Sequence, residues 1–236
     1  MLNKDHFTGT MLALVLGAML SLATPGAAVA GKIRLACVGD SITYGPVPNR
    51  LVNSWPGVVQ RLLGPKYDVV NFGRPDATIS KHGNVPYWKV KAFRAATAFN
   101  PNIVVIALGT NDSKPMNWAH GKYFSRDARD LILHFEHLKT HPKIFLWLPL
   151  PVLREYKPRH SGSISQYMIR NKVVPALRKV AKAMHVTLID IYNVMPRNKK
   201  YYNSDGIHPN IAGEKIIGHT IARVILRHRA HSPKSR

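Results

Sequence analysis

Ser41 sits where the apolar run of "ACVGDSITYGP" (Ala36 to Pro46) gives way to polar residues and then to a Gly-Pro break. A serine at such a point is a turn or cap residue, or it is a nucleophile that needs a base. "SDGIHPN" (Ser204 to Asn210) supplies one, because Asp205 precedes His208 by three residues. One turn of chain can bring both side chains to the same side. The carboxylate can then hold one imidazole nitrogen, leaving the other free to take the Ser41 proton. Acyl transfer also needs donors for the developing oxyanion. Ser41 offers its own N–H, Gly73 in "NFG" a backbone N–H that a ligand can approach closely, and Asn111 in "GTND" a side-chain amide. Singly, each of these residues reads as an ordinary turn or cap, and "DGIH" as a surface turn with an idle histidine.

These residues need a scaffold, and the chain alternates strand-like and helix-like stretches. Ile33 to Val38, Tyr67 to Phe72, Asn102 to Leu108, Lys143 to Leu148 and Val186 to Ile191 are apolar runs of strand length. Runs this apolar suit strands buried on both faces, as in a parallel sheet. Helix patterns lie between them at Trp55 to Leu63, Trp88 to Phe99, Ser125 to Lys139 and Ile164 to Met184, with Pro175 expected to kink or split the last. Asn210 is the expected cap of a final helix through Leu226. The alternation predicts an α/β fold, a three-layer α/β/α sandwich around a parallel sheet of about five strands. In such sheets the site lies at the carboxyl ends of the strands. The Ser41, Gly73, Asn111 and His208 segments each follow a different strand, so joint coincidence is a poor account of them.

"GDSITYG" (Gly39 to Gly45), Gly73, Asn111 in "GTND" and "DGIHP" (Asp205 to Pro209) together resemble the SGNH (GDSL-type) hydrolase superfamily. The resemblance spans nearly all of the chain beyond residue 30. It implies a flavodoxin-like fold and metal-free hydrolysis of carboxylic esters. It also implies Ser41 as nucleophile, His208 as base, Asp205 as its orienter, and Gly73 and Asn111 as oxyanion donors. Ile42 replaces the leucine of the GDSL motif. "RPDAT" (Arg74 to Thr78) stands where many relatives carry small residues and a second glycine, which bears on the shape of the oxyanion loop. No cofactor is expected.

Residues 1–30 read as a signal peptide: Lys4, the apolar run Met11 to Leu20, and a small-x-small site at Ala28-Val29-Ala30. The expected domain is 31–226, exported to the periplasm or secreted, with a basic, disordered tail at 227–236. Cys37 is the single cysteine, so no intramolecular disulfide forms, and its apolar strand makes it a buried, inert thiol. The 34 Lys and Arg against 12 Asp and Glu leave a net +22, which favours an anionic polysaccharide or another anionic surface as partner. No nucleic-acid module is present in the pattern.

The loops after Gly73 and Asn111 carry Trp88 and Trp118, candidate platforms for a sugar ring. The "GTNDSKPMNW" and "PYWK" stretches resemble exported members of the superfamily that are acetylesterases acting on carbohydrate. Four alternatives stand beside this: a lysophospholipase, a thioesterase, a non-catalytic glycan-binding protein, and a metal-dependent phosphoesterase using Asp40, Asn111, Asp112 and His208. The last has too few ligands at metal spacing.

Overall fold

Side chains alternate across a strand, so a run that is apolar at every position must be covered from both sides. The computed structural model describes residues 31–46, 49–153 and 161–231. Contacts divide the chain after Gly31, and the unit from Lys32 onward carries every described strand. β1 (Ile33–Gly39), β2 (Tyr67–Gly73), β3 (Ile103–Ala107), β4 (Lys143–Trp147) and β5 (Thr187–Ile189) pair in the order β2-β1-β3-β4-β5, all parallel. That is the flavodoxin-like order, with its switch point between β1 and β3. The helices are α1 (Ser41–Tyr44), α2 (Arg50–Asn53), α3 (Trp55–Leu63), α4 (Lys91–Ala98), α5 (Pro115–Trp118), α6 (Phe124–Glu136), α7 (Gln166–Met168), α8 (Val174–Ala183), α9 (Ile191–Val194) and α10 (Ile211–His231).

Alternation divides the core into two layers. Ala36, Val38, Val104, Ile106, Ile144 and Leu146 face Ala96 of α4, Leu131 of α6 and Leu177 of α8. Leu35, Cys37, Val105, Phe145, Trp147 and Ile189 face Val59 of α3 and Ile217 and Ile221 of α10. Every one of these side chains is buried. Cys37 lies in the second layer, and burial pushes its thiol pKa well up, so it stays a protonated packing residue. The Glu214 carboxyl of α10, also buried, accepts the Trp55 N–H at 2.7 Å and so caps the start of α3.

Several boundaries differ from the sequence expectation, each for a local reason. β5 stops at Ile189 rather than Ile191, because the Asp190 side chain accepts the Asn193 N–H and starts α9. The expected helix from Trp88 is a 3₁₀ turn, Tyr87–Lys89, then an extended Val90, then α4. The stretch from Ile164 is α7, a π-helical turn at Ile169–Val173, and α8. Pro175 lies at the start of α8; its ring cannot donate and presses on the preceding turn, which favours that break. Asn210 does cap α10, its Oδ1 accepting from Ala212 and Gly213 N–H. That helix runs on to His231, past Leu226, so residues 227–231 of the expected tail are helical. The His228 ring packs edge-on against Phe145 at 5.6 Å, which ties down this extra turn. Residues 1–30, where the signal peptide is expected, and 232–236 of the tail lie outside the described residues.

Candidate active site

Parallel strands all end on one edge, so the polar turns that follow β1, β2, β3 and β5 converge there. Ser41 opens α1 directly after β1. A side chain at Gly39 would place its Cβ 1.9 Å from Thr43 Oγ1 and 2.7 Å from the Ala107 carbonyl, so only glycine lets the strand turn this tightly. Asp40 caps the turn, its Oδ1 accepting the Ile42 N–H at 3.0 Å. Ser41 Oγ lies 2.8 Å from His208 Nε2. His208 Nδ1 lies 2.6 Å from Asp205 Oδ2. Ser41 and His208 are 167 residues apart in the chain, and the fold alone brings them together.

The loop carrying the pair is pinned at several points. Leu153 N–H donates to the Gly206 carbonyl and Asn203 N–H to the His208 carbonyl, each at 2.8 Å. Tyr202 Oη donates to the Pro151 carbonyl at 2.7 Å. Asp205 Oδ1 accepts from the Ile207 and His208 backbone N–H groups at 2.8 and 3.0 Å. Partial burial pushes the Asp205 pKa up, but the His208 ring and these two N–H groups outweigh it and hold the carboxyl below its ordinary value. An ionised carboxylate only accepts, so Nδ1 must carry the proton and Nε2 is left as an acceptor for the Ser41 hydroxyl. The arrangement can therefore pass the serine proton to histidine while Asp205 stabilises the resulting imidazolium.

Asp40, one residue before Ser41, is fully buried. Burial pushes its pKa from 3.8 to about 7, with Ile42 N–H, His208 and Thr110 acting against the rise. The folded state thus holds a proton that the unfolded chain releases near its lower value. Stability should fall as pH rises from about 4 to about 7 through this group. Asp40→Asn keeps an oxygen for the Ile42 cap and removes the buried charge. Its thermal midpoint is expected to exceed that of the parent at about pH 8 and to match it near pH 4. A scan showing the same difference at both values would remove Asp40 as the source.

The oxyanion candidates fall less neatly. Gly73 follows Asn71, whose Oδ1 accepts the Gly73 N–H at 2.9 Å. Asn71 Nδ2 meanwhile donates to the Thr43 carbonyl at 2.7 Å. A Cβ at Gly73 would sit 2.3 Å from the Tyr44 nitrogen. Gly73 is thus a close-approach glycine beneath α1, and its N–H is already engaged. Further along the loop, Arg74 donates to Gly39 O, Ala77 to Arg74 O and Thr78 to Val85 O. Ile79 and Ser80 N–H groups donate to Asp112 at 3.0 and 2.9 Å. Pro75 has no N–H. Between Gly73 and Ser80, Asp76 therefore holds the one N–H without a partner among the described residues. It adopts φ 65° in the left-handed region. Asn111, buried in the turn after β3, donates from Nδ2 to the Ala77 carbonyl at 3.3 Å, which leaves one amide hydrogen over.

The contacts of the two tryptophans are those of anchors. Trp88 Nε1 donates to the Ile79 carbonyl at 3.0 Å, and its ring packs on Phe93 and under Lys81 Nζ. Trp118 packs on Phe124 and against Gly121. Both are partly buried on the core layer of α4, α6 and α8. Among the described residues, no three His, Cys, Asp or Glu side chains gather as a metal site, and no helix is long and apolar enough to cross a membrane.

Comparison with known proteins gives a consistent picture. The model of the GDSL-like lipase/acylhydrolase family matches residues 37–216. An acetylxylan esterase of Xylanibacter ruminicola is 35% identical over 211 residues, covering 82% of this chain but 43% of that protein's length. A carbohydrate acetylesterase from Sinorhizobium meliloti superposes with TM-score 0.68 at 20% identity, over 84% of this chain and 100% of that one. The aryl esterase of M. smegmatis superposes with TM-score 0.65 at 20% identity, over 82% and 98%. At these identities the two structural likenesses are of fold.

Proposed function

The chain belongs to the GDSL-like lipase/acylhydrolase family of ester hydrolases, and on that premise we propose that it is a serine esterase that removes acetyl groups from carbohydrate. The observation that carries this is the Ser41–His208–Asp205 line, with spacings of 2.8 and 2.6 Å. Ser41 Oγ attacks the ester carbonyl as its proton passes to His208 Nε2. The tetrahedral oxyanion is held by the Ser41 N–H, the Asp76 N–H in place of Gly73, and Asn111 Nδ2. His208 then gives the proton to the sugar oxygen as its bond to the acyl carbon breaks, releasing the sugar hydroxyl, and water repeats the cycle on the acyl-enzyme to release acetate and free Ser41. The mechanism uses no metal or cofactor. The acetyl preference is supported by the 35% identical acetylxylan esterase and by polar, charged loops at the mouth of the site. Export after cleavage at Ala30, and attachment of the basic surface to anionic polysaccharide, belong to the same proposal.

A longer-chain acyl esterase is the second reading. Its support is α2, the first helix after α1, where Leu51 is 75% and Val52 54% exposed. A series of aryl esters from acetyl to butyryl to octanoyl separates the two. Each methylene buried in a groove adds about 0.8 kcal/mol, roughly fourfold in kcat/KM. The acetyl reading expects the series to fall with chain length, and acetylated xylan to release acetate. A rising series with no acetate from xylan would transfer the assignment to lipid or thioester substrates.

A further inference from the structure

Asp76 is an unusual choice for the turn after β2. Its left-handed backbone suits glycine, yet the residue brings a carboxylate to the same loop position as the N–H left without a partner among the described residues. Covalent geometry keeps that carboxylate within about 5–7 Å of any oxygen bound by its own N–H. A negative charge so near disfavours the oxyanion that the N–H is meant to stabilise.

Lys114 answers this charge. It lies three residues past Asn111 in the loop after β3, and its Nζ donates to Asp76 Oδ1 at 2.9 Å. Its side chain is only 10% exposed. Burying an ammonium against a single, largely exposed carboxylate is a poor way to gain stability. The neighbouring Arg74 guanidinium is spent on the Pro75 carbonyl at the surface. The Lys114 backbone is fixed to the same structure, its N–H donating to the Asn111 carbonyl and its own carbonyl accepting from Asn117 and Trp118. The cation is thus built rigidly into the segment that carries the side-chain oxyanion donor, and it reaches across to the segment that carries the backbone one.

We infer that Lys114 is a positioning residue for the ester hydrolysis, its ammonium cancelling the Asp76 carboxylate so that the Asp76 N–H can serve the oxyanion. The inference rests on the serine-esterase reading above. Two substitutions separate charge from support. Lys114→Met removes both the charge and the hydrogen bond. Lys114→Gln removes the charge and can still donate to Asp76, which keeps the loops tied and the fold secure. Both are expected to lower kcat on an aryl acetate about tenfold, with KM nearly unchanged, since the repulsion acts only in the transition state. Adding Asp76→Asn to either variant removes the uncancelled charge and is expected to recover most of that loss. If Lys114→Gln turns over like the parent, or if the double variants are no faster than the single ones, Lys114 only holds the loop and the inference is overturned. Ser41→Ala in the same assay tests the premise separately: full activity there defeats the serine-esterase reading whatever Lys114 does.

Discussion

Replacing Ser41 by alanine is expected to lower ester hydrolysis by about four to six orders of magnitude. The variant keeps the proposed oxyanion donors, so a residual rate above that of water should survive through them. It loses the proposed attacking atom, Oγ at 2.8 Å from His208 Nε2. Folding should be almost untouched, because Ser41 gives up a single half-buried hydroxyl while Asp40 still caps the turn at Ile42. The measurement is turnover of an aryl acetate together with the thermal midpoint. An alkylphosphonate should add covalently to the parent, on the peptide that contains Ser41, and not to the variant. Label on a different serine, or an alanine variant that turns over normally, would defeat the mechanism.

Asp205→Asn is the second large effect, expected at about three to four orders of magnitude in kcat. The carboxylate accepts three donors: His208 Nδ1 on Oδ2, and the Ile207 and His208 backbone N–H groups on Oδ1. An asparagine can leave its oxygen with the two backbone groups and turn its NH₂ toward Nδ1. Nδ1 must then accept, the proton moves to Nε2, and the imidazole can no longer take the Ser41 proton. Geometry is kept while the tautomer is wrong. The contrast with Asp205→Ala is informative, since alanine leaves Nδ1 free to bind water in either tautomer and should lose less stabilisation of the correct one per unit of structural damage. If Asp205→Asn retained more than about a tenth of the parent kcat, His208 would be oriented by something other than Asp205.

Much of this was legible in the residues. Five runs without a polar face could be satisfied only by a sheet covered on both sides, and helix patterns between them imposed parallel crossovers. Asp205 and His208 were readable as a pair because three residues is a local distance, set by backbone geometry rather than by the fold. Asn210 as a cap and Cys37 as a core thiol were legible for the same reason, each being decided by its nearest neighbours in the chain. Boundaries were less so. α10 runs past Leu226 to His231 because His228 meets Phe145 on β4, a contact between residues that the sequence does not relate.

The oxyanion loop marks where local reading ends. Gly73 looks like a donor in the sequence, since a glycine N–H is easily approached. Whether that N–H is free depends on where Asn71 Oδ1 points and on how closely Tyr44 lies above it. Trp88 and Trp118 have the right chemistry for a sugar platform, but Phe93, Phe124, Lys81 and Gly121 occupy their faces and edges. Lys114 is one of many cations in the sequence, and only its burial and a partner at Asp76, 38 residues earlier, set it apart. Residue type and spacing along the chain thus determined the sheet, its helical cover and the Asp205–His208 pair. Which N–H groups and cations remain available for chemistry was decided only in three dimensions, because each donor is free or spent according to neighbours brought from distant parts of the chain.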